Sequence, residues 1–176
     1  FKTRNKKKSE YVPRGVKIGR TYDDFLAFLN EFDISSHCEL DTVIGEQGGK
    51  VIMTLIFVPC NFMFGILLDN KTAAEAASKI LNFKSRLNSN NISFGELFPV
   101  ILTDNGGEFS DVFSFELDLN GKEETKMFFC DPMCSSQKPF VEKNHTIFRD
   151  IIPKGTSFNN HNRVCGSKLC SKFRIK

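Results

Sequence analysis

Six residues in the middle of the chain, Phe98-Pro99-Val100-Ile101-Leu102-Thr103, run without a charge or an alternating polar position and stop at Asp104-Asn105-Gly106-Gly107. The run has strand length, and a strand with no polar face has to be covered on both sides of its sheet. The flanking segments supply the rest of that sheet and its cover. Cys38 to Ile44 reads as a first strand, joined through Gly45-Glu46-Gln47-Gly48-Gly49 to a second, Val-, Ile- and Thr-rich strand from Lys50 to Val58. After a turn at Pro59-Cys60-Asn61, Met63 to Leu68 reads as a third, and Lys126 to Cys130 as a fifth. Thr21 caps a short helix through Phe25, Leu26, Phe28 and Leu29, with Asp23 and Asp24 in its first turn. Lys71 to Leu87 is an amphipathic helix with Ala73, Ala76, Ala77, Ile80, Leu81 and Phe83 on its apolar face, ended by Asn88 to Asn91. Phe109 to Phe115 reads as a further helix, and Phe140 to Asp150 as a last one with Ile147 and Ile151 on one side. The order contains no internal repeat and predicts an α/β fold, one mixed five-stranded sheet with helices on both faces.

A chain of 176 residues with 40% apolar side chains, 19 of them Phe, has the size of one domain and enough apolar matter to fill a core. The most apolar stretch, Val51 to Leu68, is broken by Thr54, Pro59, Asn61 and Gly65, so no membrane span is expected. The chain opens on Phe1 and a basic, polar segment, which predicts a fragment lacking sequence upstream, without a secretory signal. A cytoplasmic protein follows as the expectation.

Charge is segregated. Residues 1–20 carry eight basic side chains against Glu10, a net of +7; residues 151–176 carry six and no acid; the stretch between has a net of −10. Basic ends on an acidic body suit a protein whose flanks track a polyanion, and equally suit solvated tails. The six cysteines (Cys38, Cys60, Cys130, Cys134, Cys165 and Cys170) lack paired zinc-knuckle spacing, so free, mostly buried thiols are expected. A zinc site from His161, Cys165 and Cys170 is the less favoured alternative.

Three acids stand out against this topology. Asp41 lies inside the first strand between Leu40 and Val43, where a carboxylate is costly unless something pairs with it or coordinates it. Asp104 ends the fourth strand, the position at which open α/β sheets hold their active sites. Glu142 lies near the start of the last helix. Each has a plainer account: a core Lys for Asp41, an Asx turn for Asp104, a helix-dipole charge for Glu142. As a set, converging carboxylates bind hard divalent cations, and two such ions can clamp the attacking and leaving oxygens of a phosphoryl transfer.

Glu39-Leu40-Asp41-Thr42-Val43-Ile44-Gly45, Leu102-Thr103-Asp104-Asn105-Gly106-Gly107-Glu108-Phe109, Phe129-Cys130-Asp131-Pro132, Gln137-Lys138-Pro139, Val141-Glu142-Lys143-Asn144-His145 and Ile152-Pro153-Lys154-Gly155 together resemble the catalytic core of a bacterial insertion-sequence transposase of the IS-thirty family. That core is similar to retroviral integrases and has an RNase H-like fold. The resemblance runs from about Gly19 to Asn159. It implies a division into a basic linker over 1–20, left by a missing N-terminal DNA-binding region, a catalytic core over 21–159 and a divergent basic tail over 160–176. Asp41, Asp104 and Glu142 match the DDE triad, which binds two Mg²⁺ or Mn²⁺ ions, cleaves transposon ends and joins the freed 3′-hydroxyl to target DNA. Asn105, Gly106 and Glu108 would shape the loop around the second Asp; Lys138, Lys143, Asn144 and Arg149 would face DNA phosphates. A homo-oligomer on DNA, in a bacterial cytoplasm and without a membrane, is further implied. The family's usual Trp is replaced here by Ser136, and the residues after Asn159 depart from its pattern. Two other functions therefore stay open: a truncated or frameshifted remnant that folds and binds DNA weakly, and an RNase H-like nuclease that cleaves without joining.

Overall fold

Five runs of β-branched, aliphatic and aromatic residues pair into a single sheet. The computed structural model describes residues 11–159. Strands β1 (Cys38–Ile44), β2 (Val51–Phe57), β3 (Phe62–Leu68), β4 (Val100–Thr103) and β5 (Lys126–Phe129) lie in the order β3-β2-β1-β4-β5. The first three form an antiparallel meander, and β4 and β5 continue the sheet parallel to β1. Parallel neighbours need crossover connections. These run through α2 (Ala73–Asn88) and α3 (Phe94–Leu97) before β4, and through α4 (Val112–Glu116) before β5. Helix α1 (Tyr22–Glu31) precedes the sheet and α5 (Pro139–Ile151) follows it. All four residues of β4 are buried, as the absence of a polar face demands.

Helices cover both faces. One side of the sheet sets Leu40, Met53, Leu55, Ile101, Met127 and Phe129 against Ala76, Ile80, Phe94, Val112 and Phe115. The other sets Val100, Leu102 and Phe128 against Phe25 of α1, and Val43, Ile52 and Leu67 against Phe148 of α5 and Phe158. Phenylalanine fills much of the first side: the rings of Phe57, Phe64, Phe83, Phe94 and Phe98 touch one another with centroids 4.6 to 6.4 Å apart. One cation is sealed among them. Lys84 donates from Nζ to the Phe115 and Leu117 carbonyls, pairs with Glu124 Oε1 at 3.0 Å and stands 4.6 Å from the Phe94 ring centroid.

The strand boundaries fall within two residues of those read from the sequence, and Thr21 does cap α1, in a reciprocal capping box with Asp24. Four features differ. Residues 11–20 are packed onto the body where a linker was expected. Val12 is buried and donates its N–H to Asn105 O, Tyr11 pairs with Gly106, Arg20 makes a two-pronged bond to Glu116, and Arg20 O accepts from Phe129 N. Arg20 O, together with Glu116 Oε1 on Met127 N, closes the outer edge of β5, which an exposed strand would leave unpaired. The helix expected over Phe109–Phe115 is split into a 3₁₀ turn, Gly107–Phe109, and α4, because the chain first turns through Gly106 and Gly107. The buried stripe of α5 is Val141, Asn144 and Phe148, with Ile151 exposed; a polar Asn in the stripe masks its period. The four described cysteines are free and evenly divided where mostly buried thiols were expected: Cys38 and Cys130 are buried, Cys60 and Cys134 exposed. The basic residues of 1–10 and the tail over 160–176, with His161, Cys165 and Cys170, lie outside the described residues. Among the described residues no helix is long and apolar enough to cross a membrane.

Candidate functional site

Strand register brings the first two acids together. Cys38, Glu39 and Leu40 of β1 pair with Ile101, Leu102 and Thr103 of β4, and the next residue on each strand is Asp41 and Asp104. Alternation puts both on the face that carries Leu102 and α5, at the carboxyl end where β4 stops while β1 runs on. Burial pushes the Asp104 carboxyl above the ordinary aspartate range; the Lys138 ammonium pulls against this, while the Asp41 and Glu108 charges add to it.

Each aspartate is held by its neighbours. Asp41 Oδ1 accepts from Thr42 N at 2.7 Å, and Oδ2 pairs with Lys138 Nζ at 3.1 Å. Lys138 is 5% exposed and donates also to Leu40 O at 3.1 Å. Asp104 Oδ1 accepts from Gly106 N at 3.1 Å, an Asx turn. Asn105 reaches across to Cys130 O at 2.8 Å and ties the ends of β4 and β5 together. Glu108, 3% exposed, accepts on Oε1 from Thr42 Oγ1 at 2.7 Å and from Lys71 Nζ at 3.1 Å. A Cβ on Gly106 would stand 2.6 Å from Glu108 Oε2, so a side chain there would push that carboxylate away from Thr42 and Lys71. Burial pushes the Cys130 thiol up to about 12, which leaves it protonated and unreactive at neutral pH.

Glu142 occupies the exposed side of the first turn of α5. The inner side carries His145, whose Nε2 lies 2.9 Å from Thr54 Oγ1; that hydroxyl donates to Asp41 O at 3.3 Å. Burial pulls His145 below its ordinary value of 6.5, against the raising charges of Asp41 and Glu142 and with the lowering charges of Lys138 and Arg149. The unfolded chain takes up this proton near 6.5 and the folded chain only at lower pH, so stability is lost as pH falls through that window. His145→Gln removes this term: from about pH 7.5 to about pH 5 the melting temperature of the wild type drops further than that of the variant.

The plainer account of each acid is thus present: a buried Lys on Asp41, an Asx turn at Asp104, and a first-turn position for Glu142. The strands nevertheless set Asp41 beside Asp104. Two carboxylates in one crevice are an all-oxygen donor pair that fits a hard divalent cation. Glu142 does not close the set, because among the described residues no three His, Cys, Asp or Glu side chains are grouped so as to hold a metal.

The four residues expected to face DNA are placed differently from one another. Lys143 is exposed. Lys138 turns inward from the helix start, and Asn144, 3% exposed, spends both amide protons on Asn61 Oδ1 and Phe140 O. Arg149 donates to Ile44 O at 2.6 Å and lies 6.0 Å from the Phe148 ring centroid. Sequence reasoning left three residues at the site unassigned: Glu39, Thr54 and His145. The signal for Glu39 was available, since it stands two positions before Asp41 and so shares its face of the strand.

No protein-family model matches the chain. It is 36% identical over 121 residues to "Putative integrase ORF3" of Spiroplasma virus SpV1-R8A2 B, a match that takes in 69% of this chain and 35% of the relative. The chain therefore spans about a third of the length of the curated relative it matches. Among solved structures it is similar to the catalytic core domain of BIV integrase, with a TM-score of 0.45 and 16% identity over 64% of this chain and 66% of that one.

Proposed function

We propose that this chain is the catalytic core of a DNA-cleaving and DNA-joining enzyme, a transposase or integrase of the IS-thirty type that acts on transposon ends and target DNA as a homo-oligomer. The observation that carries the reading is the side-by-side placement of Asp41 and Asp104 at the ends of two parallel strands. The identity to a relative named as an integrase supports it. Asp41 and Asp104 would hold Mg²⁺ or Mn²⁺, with Glu142 the third carboxylate of a two-ion site. Bound there, such ions supply the charge that activates an attacking water or 3′-hydroxyl and stabilises the leaving oxygen.

The chain's own groups prepare that arrangement. Thr42 N and Lys138 Nζ fix the two oxygens of Asp41, and Gly106 N fixes Asp104. His145 spends Nε2 on Thr54, whose hydroxyl reaches Asp41 O, so it orients the Asp41 strand. Lys143 is the α5 cation free to meet a phosphate, a contact that positions DNA without reading its sequence. The separation of Glu142 from the aspartates favours a second reading, a folded remnant without activity.

The test incubates the chain and Mn²⁺ with supercoiled plasmid and a labelled duplex bearing a 3′-hydroxyl end. Nicked plasmid together with joined label is the expected result. Nicking alone supports the nuclease. Neither product, with no rise in melting temperature on adding Mn²⁺, supports the remnant; binding at a hundredfold excess over Kd would stabilise the fold by about 2.7 kcal/mol.

A further inference from the structure

The most deeply buried acid among the described residues has no part in the arrangement proposed so far. Glu39 is 0% exposed, on the same face of β1 as Asp41, and its Oε2 accepts from Val141 N at 2.6 Å. Val141 is the third residue of α5, one of the leading amides that a helix cannot satisfy internally. The helix's own start offers nothing else: the Lys138 side chain makes no capping bond and Pro139 has no N–H. The other oxygen, Oε1, has no hydrogen-bond partner, and its ionic neighbour is His37 Nε2 at 3.8 Å.

A sealed carboxylate with one oxygen unpaired is expensive, and an apolar side chain of the same length would pack there more favourably. What the carboxylate supplies in return is direction. Val141 immediately precedes Glu142, and Lys138 at the start of the same helix reaches back to Asp41 Oδ2 and Leu40 O. Strand and helix are therefore cross-fastened, acid to amide one way and ammonium to acid the other.

We propose that Glu39 is a positioning residue: by capping α5 from inside the sheet, it sets where Lys138 and His145 stand beside Asp41 and how the first turn that carries Glu142 is held. The consequence for activity rests on the proposed reading of those acids; the capping of α5 does not.

The test compares the full chain with Glu39→Met and Glu39→Gln by thermal melting, amide hydrogen exchange over residues 140–144 and Mn²⁺-dependent strand cleavage. Glu39→Met is expected to melt no lower than the wild type, while exchange in the first turn of α5 speeds up about tenfold, the scale of a lost helix cap, and cleavage falls by a similar factor. Glu39→Gln keeps an acceptor for Val141 N and is expected to restore both. If Glu39→Met does not fold, Glu39→Asp, one methylene short of the amide, is expected to speed exchange in its place. Wild-type exchange at residues 140–144 in Glu39→Met or Glu39→Asp overturns the proposal, as does a Glu39→Gln chain that exchanges as fast as Glu39→Met. Faster exchange in a chain whose wild type cleaves nothing supports the cap and removes the reading of the acids.

Discussion

Asp104→Asn is expected to abolish Mn²⁺ binding and to lower strand cleavage about a thousandfold or more, the size of the charge stabilisation a bound metal supplies. The same change should leave the fold intact and slightly more stable at neutral pH. Asp104 carries a carboxyl raised above its ordinary 3.8 by burial, with Asp41 and Glu108 adding repulsion that Lys138 only partly offsets. Between 3.8 and that raised value the folded chain holds a proton that the unfolded chain has lost, so wild-type stability falls as pH climbs through the window. An amide cannot ionise and escapes the loss. Melting curves of both chains at about pH 4 and about pH 7 check the sign: the variant gains on the wild type as pH rises. Cleavage at the wild-type rate would remove Asp104 from the site.

The second large effect concerns Lys84, far from the acids. Lys84→Met keeps most of the stem and removes the ammonium, leaving the Phe115 and Leu117 carbonyls without their donor and Glu124 with only its Gly95 and Ser93 bonds and no countercharge. Burial already pulls the Lys84 pKa down against the raising influence of Glu124, so the ammonium end of the pair is desolvated and its breakage is poorly screened. A loss of about 3 kcal/mol is expected, read from the urea midpoint, and that is a large part of the 5–15 kcal/mol by which domains are ordinarily stable. Replacing Glu124 as well should cost less in the Lys84→Met background than in the wild type, because the ion pair is already gone there.

Much of the architecture was legible because each strand has a local reason to be one. The run from Val100 to Thr103 has no polar face, and the meander strands are rich in β-branched, aliphatic and aromatic residues. The site was legible only in part. That Asp41 meets Asp104 depends on where β4 stops against β1, a matter of register that the residue pattern alone does not reveal. The inner face of α5 was misread because Asn144 sits in its buried stripe, where an apolar residue would have marked the period. Lys138 and Arg149 look like surface cations in a basic, polar segment, and only the fold shows their charges spent on Asp41, Leu40 and Ile44. Residues 11–20 carry the composition of a linker, yet their bonds run to the Asn105–Gly106 loop, Glu116 and Phe129, partners too distant in sequence for local propensity to register.

That last attachment decides where the molecule can be cut. A piece begun at Thr21 would lose Val12 from the core, the bond from Val12 to the loop that follows Asp104, and the Arg20 groups that shield β5 and Glu116. Any fusion or graft of the acid pair onto another protein accordingly has to carry residues 11–20 with it.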